Sequence, residues 1–144
     1  MLHMVSLSKI FLIVLMTLGS PGCGQGIQSS EPIVLNDPIP SGTIVAQAAF
    51  TGQNGNTASG LAVIYSQTGG SYVLRLSGVN FSNEAGLQLI IVANSTNQGP
   101  LLLRSSLGSQ NYRFYLDGAS PVFNQVRLHS VIHFKDYATA LFIH

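Results

Sequence analysis

The chain has 144 residues, a formal net charge of +1 and only 8% charged side chains against 46% hydrophobic ones. Its six basic residues are scattered, which gives no electrostatic footprint for nucleic acid, whose binding rests on neutralising phosphates. The single cysteine, Cys23, leaves no CxxC pair, and the length allows one domain of about 100 residues with a modest core.

The first predicted element is a leader. Lys9 supplies a short positive flank, and Ile10 to Leu18 is an apolar run. It is too short to span a bilayer of ~30 Å as a helix, which needs about 20 residues. The run passes into Leu18-Gly19-Ser20-Pro21-Gly22-Cys23, with a small residue directly before the cysteine. This looks like a bacterial lipoprotein signal, although Ser20 stands where a standard lipobox has Leu. The resemblance implies that residues 1–22 are removed as a signal peptide and that the Cys23 thiol is acylated. Membrane lipid is then the first partner, and the protein sits in the cell envelope, on the periplasmic or outer-membrane face. Each buried CH₂ of the acyl chains adds about 0.8 kcal/mol, so two or three chains hold firmly. The alternative is ordinary secretory cleavage nearby, leaving a free thiol that suggests a partner or a reactive sulfur. No other stretch is long and apolar enough to be a second anchor.

Residues 23–42 read as a flexible tether. Gly24, Gly26, Ser29 and Ser30 give flexibility, and Pro32, Pro38 and Pro40 give extension. Losing Lys9 leaves five basic residues against five acidic ones, a neutral mature chain. Residues 43–144 then read as one β domain. Thr43 to Phe50 is a strand followed by the turn-rich Gly52-Gln53-Asn54-Gly55-Asn56. Gly60 to Ser66 alternates, Gly69-Gly70 signals a tight hairpin, and Tyr72, Leu74 and Leu76 resume the alternation. Leu87 to Ala93 is a continuous apolar run, expected to be a central strand buried on both faces. Asn94 to Pro100 is expected as a loop, Leu101 to Arg104 as a short strand, and Gly108-Ser109 as a turn. Tyr112 to Leu116, Gln125 to Phe134 and Tyr137 to Ile143 complete about eight strands. No segment carries a useful 3.6-residue period, so the expected fold is all-β, a small sandwich or flattened barrel, mainly antiparallel.

Several words along these strands repay comparison. They are Phe50-Thr51-Gly52, the strand Ala58 to Tyr65 with its Gly60, Tyr72 to Leu76 before Asn80-Phe81, and Gly86-Leu87-Gln88-Leu89. Leu107-Gly108-Ser109-Gln110-Asn111-Tyr112, Val131-Ile132-His133-Phe134-Lys135-Asp136-Tyr137 and the closing Ala140-Leu141 follow. In order and spacing they resemble the DM13 domain, a small β domain of secreted and membrane-anchored proteins. The positions that match its motifs are Gly60, Gly86, Gln88, Gly108, Tyr112, His133, Phe134 and Tyr137. Two of them depart from the family pattern: its aspartate is Gln88 here, and its penultimate-strand cysteine is Phe134. A redox or electron-transfer role has been proposed for the family and leans on that cysteine, so the resemblance does not carry it over.

His129 and His133 share a spacing that would suit a metal on a helix. On a strand they lie about 13 Å apart, too far for one ion. With Arg127 and Lys135 they read as a solvated strand face, the alternate of Val126, Leu128, Ser130, Ile132 and Phe134. That alternation points Phe134 into the core and His133 away from it. Neither a cofactor nor a metal is expected, and no catalytic residue is assigned: nothing resembles Gly-x-Ser-x-Gly, and Trp is absent beside the five acids. The sequons Asn80-Phe81-Ser82 and Asn94-Ser95-Thr96 read as chance loop chemistry in a lipoprotein. Three functions stay open. The first is a non-catalytic, membrane-anchored module that binds an unknown protein or small ligand. The others are a redox or haem-associated carrier and a hydrolase of unfamiliar type.

Overall fold

The structure, a computed structural model, describes residues 33–81, 85–118 and 120–144. Cys23, the leader and the first part of the expected tether lie outside the described residues. The described residues form nine strands: β1 (Val34–Asn36), β2 (Thr43–Gly52), β3 (Ala58–Ser66), β4 (Ser71–Phe81), β5 (Leu87–Ala93), β6 (Thr96–Leu102), β7 (Leu107–Tyr115), β8 (Phe123–Ser130) and β9 (Lys135–Leu141). They make one sheet in the order β1-β7-β4-β3-β2-β9-β8-β5-β6. The β1–β7 pairing is parallel, and the other pairings are antiparallel. Strand β2 joins the two halves, because Thr43 to Ala49 pairs with β3 whereas Phe50 to Gly52 pairs with β9. The sheet therefore curls into a half-barrel, an all-β and mostly antiparallel fold as the sequence leads one to expect.

The concave face holds the core. Ala62, Ile64, Leu74, Leu76, Leu89, Ile91, Val126, Leu128, Ala138 and Ala140 are fully buried. Phe81 meets Phe50 edge-on at 5.1 Å, and Tyr72, Phe114 and Phe123 form a second aromatic cluster with centroids 5.3–6.2 Å apart. Offset and edge-on rings add to the apolar burial that drives the curl. Val63, Tyr65 and Val73 form a small separate cluster on alternate residues.

Five expectations are corrected. Gly108-Ser109 is not a turn: both residues lie in β7, with Gly108 opposite Leu35 and Val79. Asn94 to Pro100 is not a loop: Asn94 and Ser95, at φ 51° and 60°, make a tight turn, and β6 begins at Thr96. Pro100 fits there because β6 is an edge strand. Strand β5 lies one place in from that edge, and Gln88 and Ile90 are only half-buried, so it is not buried on both faces. The strand expected to run to Phe134 ends at Ser130. Residues 131–134 form a turn, which leaves Phe134 84% exposed at φ 54° instead of in the core.

The fifth correction concerns the tether. Its described part, from Ile33 onward, is docked through β1, whose Leu35 lies opposite Gly108. Polar contacts lock it there. The Asp37 amide donates to the Ser109 carbonyl at 2.9 Å, and its carboxylate accepts from Arg104 and from the Asn111 amide. Arg75, only 7% exposed, donates Nη1 to the carbonyls of Asp37 and Pro38 and to Asn111 Oδ1. Arg104, then the Asn111 amide, hold the Asp37 carboxyl below its ordinary value of 3.8. A lowered folded value means that this contribution is present above 3.8 and disappears as pH falls through the lower folded value. In an NMR acid titration the Asn111 amide is expected to shift with an apparent midpoint under 3.8, and Asp37→Asn to abolish that shift. A midpoint at or above the ordinary value would contradict the docked geometry.

Candidate functional site

The tight Asn54-Gly55 turn between β2 and β3 meets the β8–β9 turn because the end of β2 pairs with β9, Gly52 opposite Ala138. Asn54 Nδ2 donates to the Asp136 carbonyl at 2.8 Å, and the Gln53 amide donates to the Tyr137 carbonyl at 2.8 Å. Between the turns is an open polar cavity of about 190 Å³, lined by Asn54, Asn56, Ser130, His133, Lys135, Asp136 and Tyr137. Asn56 Nδ2 is taken by the Gln53 carbonyl at 2.9 Å. With both asparagine amino groups committed, their Oδ1 atoms remain as acceptors. Lys135 is exposed and has no ion pair among the described residues.

Asp136 links this corner to the outer face of β8. Its Oδ1 lies 3.0 Å from His129 Nδ1, and its Oδ2 lies 3.4 Å from Arg127 Nε. The second contact is close enough for an ion pair but is not aligned as a hydrogen bond, so Arg127 Nε is a buried donor without one. The Tyr137 hydroxyl is likewise buried and makes no hydrogen bond. Such a buried group costs ~1–3 kcal/mol.

The positions that carry the DM13 resemblance fall in three places. His133 and Tyr137 line the cavity, and Phe134 lies between His133 and Lys135 in the chain. Gly86 underlies the same turn: its carbonyl accepts from the Val131 amide at 3.0 Å, and a Cβ there would stand 2.9 Å from Val131 Cγ2. Gln88 is half-buried on β5, opposite His129, outside the cavity lining. Gly60, Gly108 and Tyr112 belong to the β3 and β7 side of the sheet. Tyr112 donates to Gln110 Oε1 at 2.6 Å and accepts from the Arg104 amide at 2.9 Å. It thereby pins the 103–106 loop, and burial raises its hydroxyl pKa. The expected common strand face for His129 and His133 does not form, since His129 is on β8 and His133 is in the turn, its amide on Ser130 Oγ. No cluster of three or more His, Cys, Asp or Glu occurs among the described residues.

Asn54, Asn56 and Asp136 were not singled out by the sequence. The Asn-Gly turn was legible, but not the segment some 80 residues later that it meets. No helix among the described residues is long and apolar enough to cross a membrane. No family model matches the chain, and neither a curated protein nor a solved structure matches it.

Proposed function

We propose that the chain is a lipid-anchored domain of the cell envelope, related to DM13, that acts as a non-catalytic binding and interaction module. Cys23 holds it to the membrane outside the cytoplasm, and the β8–β9 corner is its contact surface. The observation that carries this reading is Phe134. Its ring is 84% exposed, and its φ of 54° is unfavourable for a bulky side chain. A ring kept in water on a strained backbone contributes little to the fold and suits a surface that meets something else. Ile132, 54% exposed, extends the apolar area, and the adjoining cavity offers asparagine acceptors and the Lys135 cation.

Photo-crosslinking in the native envelope tests the reading. A photoreactive residue at Phe134 is expected to give adducts, whereas one at Tyr115, 68% exposed at the end of β7, gives none. Cys23→Ala is expected to release the protein from the membrane fraction. Clean photolysis at 134 without any adduct removes the contact surface, and firm retention of a cleaved Cys23→Ala chain removes the anchor.

A further inference from the structure

We infer that the occupant of the β8–β9 corner is the interfacial layer of a lipid bilayer, with Ile132 and Phe134 inserted among the headgroups and upper acyl chains. This rests on the proposed anchoring through Cys23 and names the partner of that same surface.

The register places the corner and the amino-terminal approach on one rim of the sheet. Strand β1 begins at Val34, opposite Leu107 at the start of β7. Leu107 lies opposite Asn80 near the end of β4, and Phe81 lies opposite Ala58 at the start of β3. The end of β2 then pairs with Ala138, three residues past the start of β9 at Lys135. Nine residues lie between Cys23 and Ile33, and the ten fully extended steps from one to the other span at most about 33–36 Å. An acylated Cys23 therefore ties the domain to the bilayer by this rim, with Ile33 no farther than that from the surface.

The rim suits that neighbour. Besides Ile132 and Phe134 it carries exposed Ile33, Val34 and Leu102. Lys135 adds a cation without an ion pair among the described residues, which complements anionic headgroups. The nearby Asp136 carboxylate is already opposed by Arg127 and His129. The Val131 amide on the Gly86 carbonyl and the His133 amide on Ser130 Oγ fix the turn in advance, so its side chains meet the surface without a folding step. The opposite rim also exposes apolar side chains, among them Ile44, Tyr115, Leu141 and Ile143, but the chain from Cys23 enters the sheet at the other end and Lys135 stands there.

The chain contains no tryptophan, so Phe134→Trp supplies a single fluorescent reporter. The full-length protein, matured in cells, is reconstituted into phosphatidylethanolamine–phosphatidylglycerol vesicles, with Ile143→Trp as the opposite-rim reporter. The indole of the Phe134→Trp variant is expected to emit to the blue of that of Ile143→Trp. It is also expected to resist iodide and to be quenched by lipids brominated high on their acyl chains. In the unacylated Cys23→Ala background, Phe134→Ser is expected to lower vesicle partitioning by about tenfold or more. Intact mass on the same sample reports acylation. An acylated, vesicle-bound Phe134→Trp protein whose indole is as open to iodide as that of Ile143→Trp overturns insertion and leaves the anchor standing. Shielding from iodide without bromine quenching assigns the corner to protein and also overturns it. A mature chain lacking acyl mass overturns the anchor reading and this inference together.

Discussion

Phe81→Ala is expected to destabilise the domain by ~3–5 kcal/mol, a large part of the ~5–15 kcal/mol that holds a typical domain together. The ring is 2% exposed at the end of β4 and stands edge-on to Phe50 at 5.1 Å and 82°. Its neighbours belong to opposing parts of the curled sheet, so they cannot collapse into the gap without breaking pairing, and the cavity persists. Phe134→Ala removes the same atoms from a ring that is 84% exposed, and it should alter stability by no more than ~0.5 kcal/mol. Urea denaturation of the two variants measures the contrast. A loss at Phe134 equal to that at Phe81 would mean that β8 continues through residue 134 and turns the ring inward, as simple alternation suggests.

That contrast shows what the sequence could and could not reveal. The alternation through Val126, Leu128 and Ser130 is real, and each of the three is buried. It stops where the chain reverses, and the reversal at Val131-Ile132-His133-Phe134 uses no Gly, Pro or Asn that would mark it. At Asn94-Ser95 the mark is present, since Asn tolerates a positive φ, but the turn is only two residues long and the polar run after it, Thr96 to Pro100, is strand. Where glycine does mark the turn, as at Gly69-Gly70 between β3 and β4, sequence and structure agree. The hidden ninth strand is a different case. Three residues of β1 have too little apolar pattern to read, and what docks the segment is polar: Asp37 meets Arg104 and Asn111 across 67 and 74 residues. The candidate cavity was legible only in part for the same reason. His133 and Tyr137 stand in one local word, whereas Asn54 and Asn56 reach them through the β2–β9 pairing.

Gly108→Ala tests that ninth strand most severely. At φ 94° the residue is in the left-handed region, and an added Cβ would stand 2.0 Å from the Leu35 carbonyl oxygen and 2.8 Å from the Leu35 nitrogen. Both atoms are backbone, so no side-chain rotation relieves the clash, and β1 must leave β7. Gly69→Ala is the fitting control: its φ is 82°, but nothing lies within 4 Å of the new Cβ. It should cost only the left-handed strain, ~1–2 kcal/mol. Gly108→Ala carries that strain and also removes the Asp37 and Pro38 carbonyls from Arg75. Leaving a buried donor unsatisfied adds ~1–3 kcal/mol, more for a charged group. The expected result is a destabilisation at least ~1 kcal/mol beyond that of Gly69→Ala. Faster hydrogen exchange at the Asp37 amide, which donates to Ser109 in the parent, should accompany it. If the two variants lose equal stability and the Asp37 amide exchanges freely in the parent as well, β1 does not occupy this groove, and the tether runs free up to Thr43.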